Sequence, residues 1–98
     1  MVRVVIPFHL QTLASCDKEQ EVSVEGAVTV RSIIHALEQR FPMLSGTIID
    51  HYSGERRPKV RLFACGEDVS LDSLDKELPK PIAAGEEPLL VVGAISGG

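Results

Sequence analysis

Val30, Ile33, Ile34, Leu37 and Phe41 recur at the three- and four-residue spacing of a single helical face. Thr29 stands directly before this run, where its hydroxyl can accept from a free backbone N–H of the first turn. Pro42 lacks a donor and disfavours helical geometry at Phe41, so the helix should stop there. The spacing therefore predicts a helix over Val30–Arg40, with Arg31, Ser32, Glu38 and Gln39 turned away from the stripe. One long helix with one apolar stripe cannot form a bundle core by itself. It needs one sheet to cover it, and that requirement limits the chain to a two-layer design.

The strands of that sheet are legible on both sides of the helix. Val2, Val4, Ile6 and Phe8 alternate with Arg3, Val5 and Pro7, a period of two rich in β-branched residues. Residues 11–20 are polar and suit a loop. Val22 and Val24 alternate with Glu21, Ser23 and Glu25 as a second, half-exposed strand that Gly26 ends. Two consecutive strands of this kind pair most simply as an antiparallel hairpin. After the helix, residues 43–50 suit another helical turn pinned by Ile48 and Ile49. Residues 51–59, with Gly54 and Pro58, suit a mobile polar loop. Val60–Ala64 reads as a third strand, Gly66 to Asp68 as a turn, and Val69 as the start of a short return strand. Leu71, Leu74 and Leu78 suit an irregular turn closed by Pro79 and Pro81. Residues 84–88 form a further turn. Residues 89–94 are almost wholly apolar, which predicts a central, covered strand beside the first one. Gly93 interrupts it, and a β-bulge would account for that. The fold class expected is α+β: a mixed sheet of about five strands with one main helix across one face.

Ninety-eight residues fit one domain, here 1–95 with a Ser-Gly-Gly tail at 96–98. A hydrophobic content of 44% suits a globular core, built from Val, Ile and Leu because Trp is absent. The net charge of −4 argues against general nucleic-acid binding, which needs a cationic surface. Arg56, Arg57, Lys59 and Arg61 form one basic cluster, read first as a solvated loop and second as a docking patch for an acidic partner. Cys16 and Cys65 have neither zinc-like nor CxxC spacing, and reduced thiols in a cytoplasmic protein are expected. The apolar run at the start is too short for a signal peptide or a membrane span.

The residues do not suggest an enzyme. His9, His35 and His51 have no nucleophile at a telling spacing, and His35 reads as a surface or boundary residue of the helix. No phosphate loop or HExxH motif is present. The ending, VVGAISGG, is different. At about 7% glycine usage a terminal Gly-Gly arises by chance in roughly one chain in two hundred, a weak signal taken alone. Here the pair follows a core strand with little between, so the fold holds the base of a thin segment without side-chain bulk at its end. Glycine has no Cβ, so such a segment can enter a channel too narrow for other residues. It delivers the Gly98 carboxylate, which becomes an electrophile only when an ATP-dependent partner turns its oxygen into a leaving group as an acyl-adenylate. A sulfur donor can then convert the mixed anhydride to a thiocarboxylate.

The hairpin pattern, "TVRSIIHALEQRFP", "VRLFACGEDVS", "IAAGEEPLLVV" and the final "GG" together resemble the ubiquitin-like sulfur carriers of the MoaD/ThiS family over nearly the whole chain. That resemblance implies a β-grasp fold. It implies that Gly98 is the residue adenylated and thiocarboxylated, with Gly97, Ser96 and Ile95 entering the partner. It also implies the partners: a ubiquitin-activating-like adenylating enzyme using ATP, a sulfurtransferase or cysteine desulfurase as sulfur donor, and an acceptor synthase subunit, with no cofactor bound to the carrier itself. The sulfur would serve molybdopterin, cysteine or thiamine synthesis. Residues 93–96 carry no Pro, which molybdopterin-branch tails often place before a small residue and the Gly pair. In "KVRLFACG", Arg61 and Phe63 point opposite to Val60, Leu62 and Ala64. Resemblance to ubiquitin's "RLIFAGK" implies that Phe63, with Arg61, belongs to a recognition patch on the open face; a core position for Phe63 is the alternative. Two further functions share the same sequence: a protein modifier joined to lysines through Gly98, and a β-grasp binding module that never uses its terminus.

Overall fold

The computed structural model describes residues 1–93. Five strands form one mixed sheet in the order β2-β1-β5-β3-β4. They are β1 (Val2–Val5), β2 (Glu19–Val22), β3 (Val60–Ala64), β4 (Glu67–Asp68) and β5 (Leu89–Gly93). The first and last strands run parallel at the centre, with Val4 opposite Leu89 and Val5 opposite Leu90. The other pairings are antiparallel.

Across one face lies α2, and its bounds, Val30–Arg40, are those expected from the stripe. Thr29 caps it: its side chain accepts from the Ser32 amide at 3.0 Å, while Ser32 Oγ accepts from the Thr29 amide at 2.8 Å. This reciprocal arrangement satisfies two donors that the first turn would otherwise leave free. Ile33, Ile34 and Leu37 are buried against the inward residues of the sheet, Val4, Leu62 and Leu89 among them. Burying a side chain of this size contributes about 1.5–3 kcal/mol, so the helix is held by packing more than by its own propensity. Phe41 is half-buried at the end of the stripe, and a 3-10 turn, Pro42–Leu44, follows it. Ile48 is fully buried, as its place in the sequence suggests.

Several elements depart from expectation. Residues 8–14 are not strand and polar loop but a helix, α1 (Phe8–Ala14), that buries Leu10 and Ala14. Pro7 fixes its own φ at −71° and removes a strand donor, which ends β1 and starts the helix. The second strand is Glu19–Val22 rather than residues 21–25, because the register pairs Val22 with Val2 at the first residue of β1. The return strand after β3 starts at Glu67, before Val69, since Cys65 and Gly66 take up the turn at φ of 51° and 80°. A short helix, α3 (Lys80–Ala83), stands where Pro79 and Pro81 were read as closing an irregular turn. Proline is tolerated in a first helical turn, whose N–H groups have no intrahelical acceptor. Gly93 makes no bulge: Leu62, Arg61 and Val60 pair in unbroken register with Val91, Val92 and Gly93.

Candidate functional site

The helix-free face of the sheet follows from the two-residue period of its strands. In β3, Val60, Leu62 and Ala64 are buried, Arg61 is exposed and Phe63 is half-buried on the opposite side. Phe63 therefore stands on the open face and not in the core. In β5 the same alternation buries Leu89 and Val91 and leaves Leu90 and Val92 outside, 37% and 45% exposed. The strand is central, as expected, and its cover lies on the face turned to the helix. The register sets Leu90 between Phe63 and Val5, and Val92 beside Arg61. The result is a continuous apolar strip, Val5–Leu90–Phe63 with Val92 next along β5, lying on three adjacent strands.

Ion pairs frame the strip. Arg61 meets Asp68 at 2.6 Å, and Arg3 meets Glu19 at 2.9 Å. Hydrogen bonds from Ser70, side chain and then amide, followed by the Arg61 guanidinium, hold the Asp68 carboxyl down at about 2 from its ordinary 3.8. The Ser70 hydroxyl is buried and also accepts from the Leu62 amide at 2.7 Å. The charged rim is thereby tied to the core strand that carries Phe63. Arg3 lowers the Glu19 carboxyl in the same way, through a side-chain hydrogen bond. Its Nη1 also donates to the Gly85 and Glu86 carbonyls at 3.2 Å each, fastening the acidic turn that leads into β5. Exposed pairs of this kind add little stability; here they fix the edges of an apolar surface.

The basic cluster is not a free patch. Arg56 is spent on backbone carbonyls: Nε donates to Ser70 at 2.8 Å, and Nη1 to Val60 at 2.7 Å and Arg57 at 2.9 Å. Arg57 donates to the Gly46 carbonyl and lies 3.8 Å from Asp50. These arginines hold the loop of residues 51–59 onto the domain. His35 is exposed on α2, as expected for a surface residue. A concavity of about 710 Å³ lies between β2 and α2 and is lined by none of the open-face residues.

Ile95, Ser96, Gly97 and Gly98, the tail residues singled out in the sequence, lie outside the described residues, as does Ala94. The last described residue, Gly93, ends the central strand. Four residues near it were not singled out by sequence reasoning: Val5, Leu90 and Val92 on the open face, and His9, whose ring stands directly against Gly93. The alternation of Leu90 and Val92 with Leu89 and Val91 was available as a signal, but all four are apolar. The contact between His9 and Gly93 leaves no local trace in the sequence.

No protein-family model and no curated protein matches the sequence. Solved structures do. The chain is similar to one in the crystal structure of the Amycolatopsis orientalis BexX/CysO complex, at 25% identity and a TM-score of 0.76, with 100% of both chains covered. It is similar to Mycobacterium tuberculosis CysO, an antigen, at 25% identity and a TM-score of 0.73, over 97% of this chain and 100% of that one. SAMP1 from Haloferax volcanii is 23% identical with a TM-score of 0.74, over 98% of this chain and 97% of that one, and supports the fold alone. Among the described residues no helix is long and apolar enough to cross a membrane. The likeness read from the sequence motifs thus extends over the whole fold: the chain has the β-grasp, ubiquitin-like fold of these solved structures.

Proposed function

We propose that this protein is a sulfur carrier that works through its C-terminal Gly98 and is a substrate of its partners rather than a catalyst. The observation that carries the reading is the course of β5. The central strand of the sheet, buried on one side and pinned between β1 and β3, leads directly to the segment that ends in Gly97 and Gly98. The rigid base and the bare glycines divide the labour: the domain supplies recognition, and the end supplies the reacting group.

The chemistry follows from the carboxylate. An adenylating partner joins a Gly98 oxygen to the α-phosphorus of ATP and releases pyrophosphate. A hydrosulfide equivalent, released when a thiol reductant cleaves the persulfide of a sulfurtransferase or cysteine desulfurase and is itself oxidised to a disulfide, attacks the carbonyl carbon. The C–S bond forms, the C–O bond to phosphate breaks, and AMP leaves with the electron pair. The resulting thiocarboxylate hands its sulfur to an acceptor synthase in molybdopterin, cysteine or thiamine synthesis. The strip of Val5, Phe63, Leu90 and Val92 gives these partners an apolar surface with Arg61 at its rim, the composition that favours an interface anchor. The BexX/CysO complex supports the idea that a chain of this shape is taken up by a second protein.

Intact mass tests the reading. The chain is incubated with ATP, an adenylating enzyme from the same cells and a sulfur source. Exchange of one oxygen for sulfur adds about 16 Da, and deletion of Gly97 and Gly98 abolishes the gain. An unchanged mass with every adenylating enzyme of the cell refutes it. Gly-Gly remnants on target lysines in cell digests, without the sulfur adduct, would identify a protein modifier instead.

A further inference from the structure

The parallel pairing of β1 and β5 has a geometric result beyond the sheet. Val5 lies opposite Leu90, so the residues after Val5 advance alongside those after Leu90. Pro7 turns the chain into α1, and the His9 ring arrives beside the end of β5, with Phe8 next to it in the chain. A Cβ built on Gly93 would overlap His9 Cε1 and lie 3.3 Å from Nε2 and 3.4 Å from Nδ1. The glycine makes room for this ring. Next to His9, Phe8 is 74% exposed, while Leu10 and Ala14 hold the same helix down on the core. An aromatic ring left in water costs apolar exposure that its own domain does nothing to relieve.

The reach of the remaining chain says what would cover it. Residues 94–98, fully extended, span at most about 18 Å beyond Gly93. Any enzyme that acts on the Gly98 carboxylate therefore has its reacting atoms within that distance of Gly93, the residue against which His9 stands. A specific interface removes about 800 Å² per partner from water, equivalent to a disc of about 16 Å radius. An interface of that size around the exit of β5 includes both side chains.

We propose that Phe8 and His9 form a second contact for the enzyme that adenylates Gly98, separate from the strip on the open sheet face. The partner chemistry that fits is an apolar socket for the Phe8 ring, with a hydrogen-bond acceptor for the His9 imidazole N–H. The proposal rests on the carrier reading, and it concerns docking and not the reaction at the carboxyl carbon.

The test uses the full chain and the adenylating enzyme that thiocarboxylates it, with ATP–pyrophosphate exchange measured against carrier concentration. Phe8→Ala and His9→Ala are each expected to raise the KM for the carrier by about 5- to 30-fold while kcat stays within about twofold, with Tm unchanged because both side chains are exposed. Leu13→Ala, an exposed residue of the same helix, serves as a control and leaves KM unchanged. Wild-type KM in both variants overturns the proposal and leaves the carrier reading standing. A fall in kcat at constant KM also overturns it, because the residues would then act in the chemistry. A wild-type chain that supports no exchange with any adenylating enzyme refutes the carrier reading and takes this inference with it.

Discussion

Replacing Gly85 with Ala sets two separable costs against each other. Gly85 lies in the turn before β5 at a φ of 78°, where an L residue brings its Cβ against the following carbonyl. That left-handed geometry costs about 1–2 kcal/mol. Loss of glycine's freedom in the unfolded chain returns about 0.4–1 kcal/mol. A second cost is local: the new Cβ would lie 2.5 Å from the Met1 carbonyl oxygen and 3.7 Å from its carbon. This obstacle is backbone, and it cannot swing aside easily because the adjoining Val2 is buried and paired with Val22. Nor can the turn retreat without loss, since the Gly85 carbonyl accepts from Arg3. Overpacking of this sort adds about 1–3 kcal/mol. Gly26 provides the control, with a φ of 77° and nothing within 4 Å of its would-be Cβ. Gly26→Ala should therefore cost about 1 kcal/mol, and Gly85→Ala about 2–4 kcal/mol. In a domain of this length the latter lowers Tm by roughly 10–25 °C. Urea unfolding followed by far-UV circular dichroism measures both, with a common m-value as the condition for comparison. Equal midpoint shifts for the two variants would refute the account, because only the steric contact with Met1 distinguishes them.

Two further outcomes follow from the open face. The Asp68 carboxyl, held near 2 against an ordinary 3.8, is ionised in the folded chain at a pH where the unfolded chain takes up a proton. Its contribution is present above the unfolded value and is lost as pH falls from about 4 towards about 2. Asp68→Asn should flatten the dependence of the unfolding midpoint on pH within that window and leave its slope above pH 5 unchanged, as read by urea titrations at several pH values. Leu62 and Phe63 are neighbours on opposite faces of β3 and should separate stability from recognition. Leu62→Ala is expected to cost about 2–5 kcal/mol of stability. Phe63→Ala should cost far less stability but weaken capture by the adenylating enzyme in a binding titration; the reverse ranking would place Phe63 in the core.

The parts of the fold read correctly from sequence are those where one local pattern had one physical meaning. Thr29, the stripe through Leu37 and Pro42 define α2 because cap, period and stop agree. The pairing of the first two strands and the central place of the last were legible from alternation and apolarity. The failures have causes of equal clarity. Only Leu10 and Ala14 face inward from α1, while Phe8 and Leu13 are apolar and exposed, so its seven residues carry no clean period. β5 is apolar on both faces, one for packing and one open, and composition alone cannot tell a buried face from an uncovered one. Arg56 looked solvated because carbonyl acceptors belong to the backbone and are invisible in side-chain sequence. Gly93 looked like a strand defect because the ring it accommodates comes from the other end of the chain. For the site, the placement of Arg61 and Phe63 on one face was readable from the period of β3, whereas Val5 and Leu90 joined them only through the register.

The central place of β5 also bears on how the molecule comes into being during synthesis. Its two neighbours, β1 and β3, are made well before it and do not pair with each other, so the middle of the sheet stays open until residues 89–93 emerge from the ribosome. Closure then depends on contacts between the earliest and latest parts of the chain, the kind of separation that slows folding. A nascent chain that lacks these residues has two unjoined half-sheets, β2-β1 and β3-β4. Any truncation that removes β5 therefore leaves both halves of the sheet without the strand that joins them.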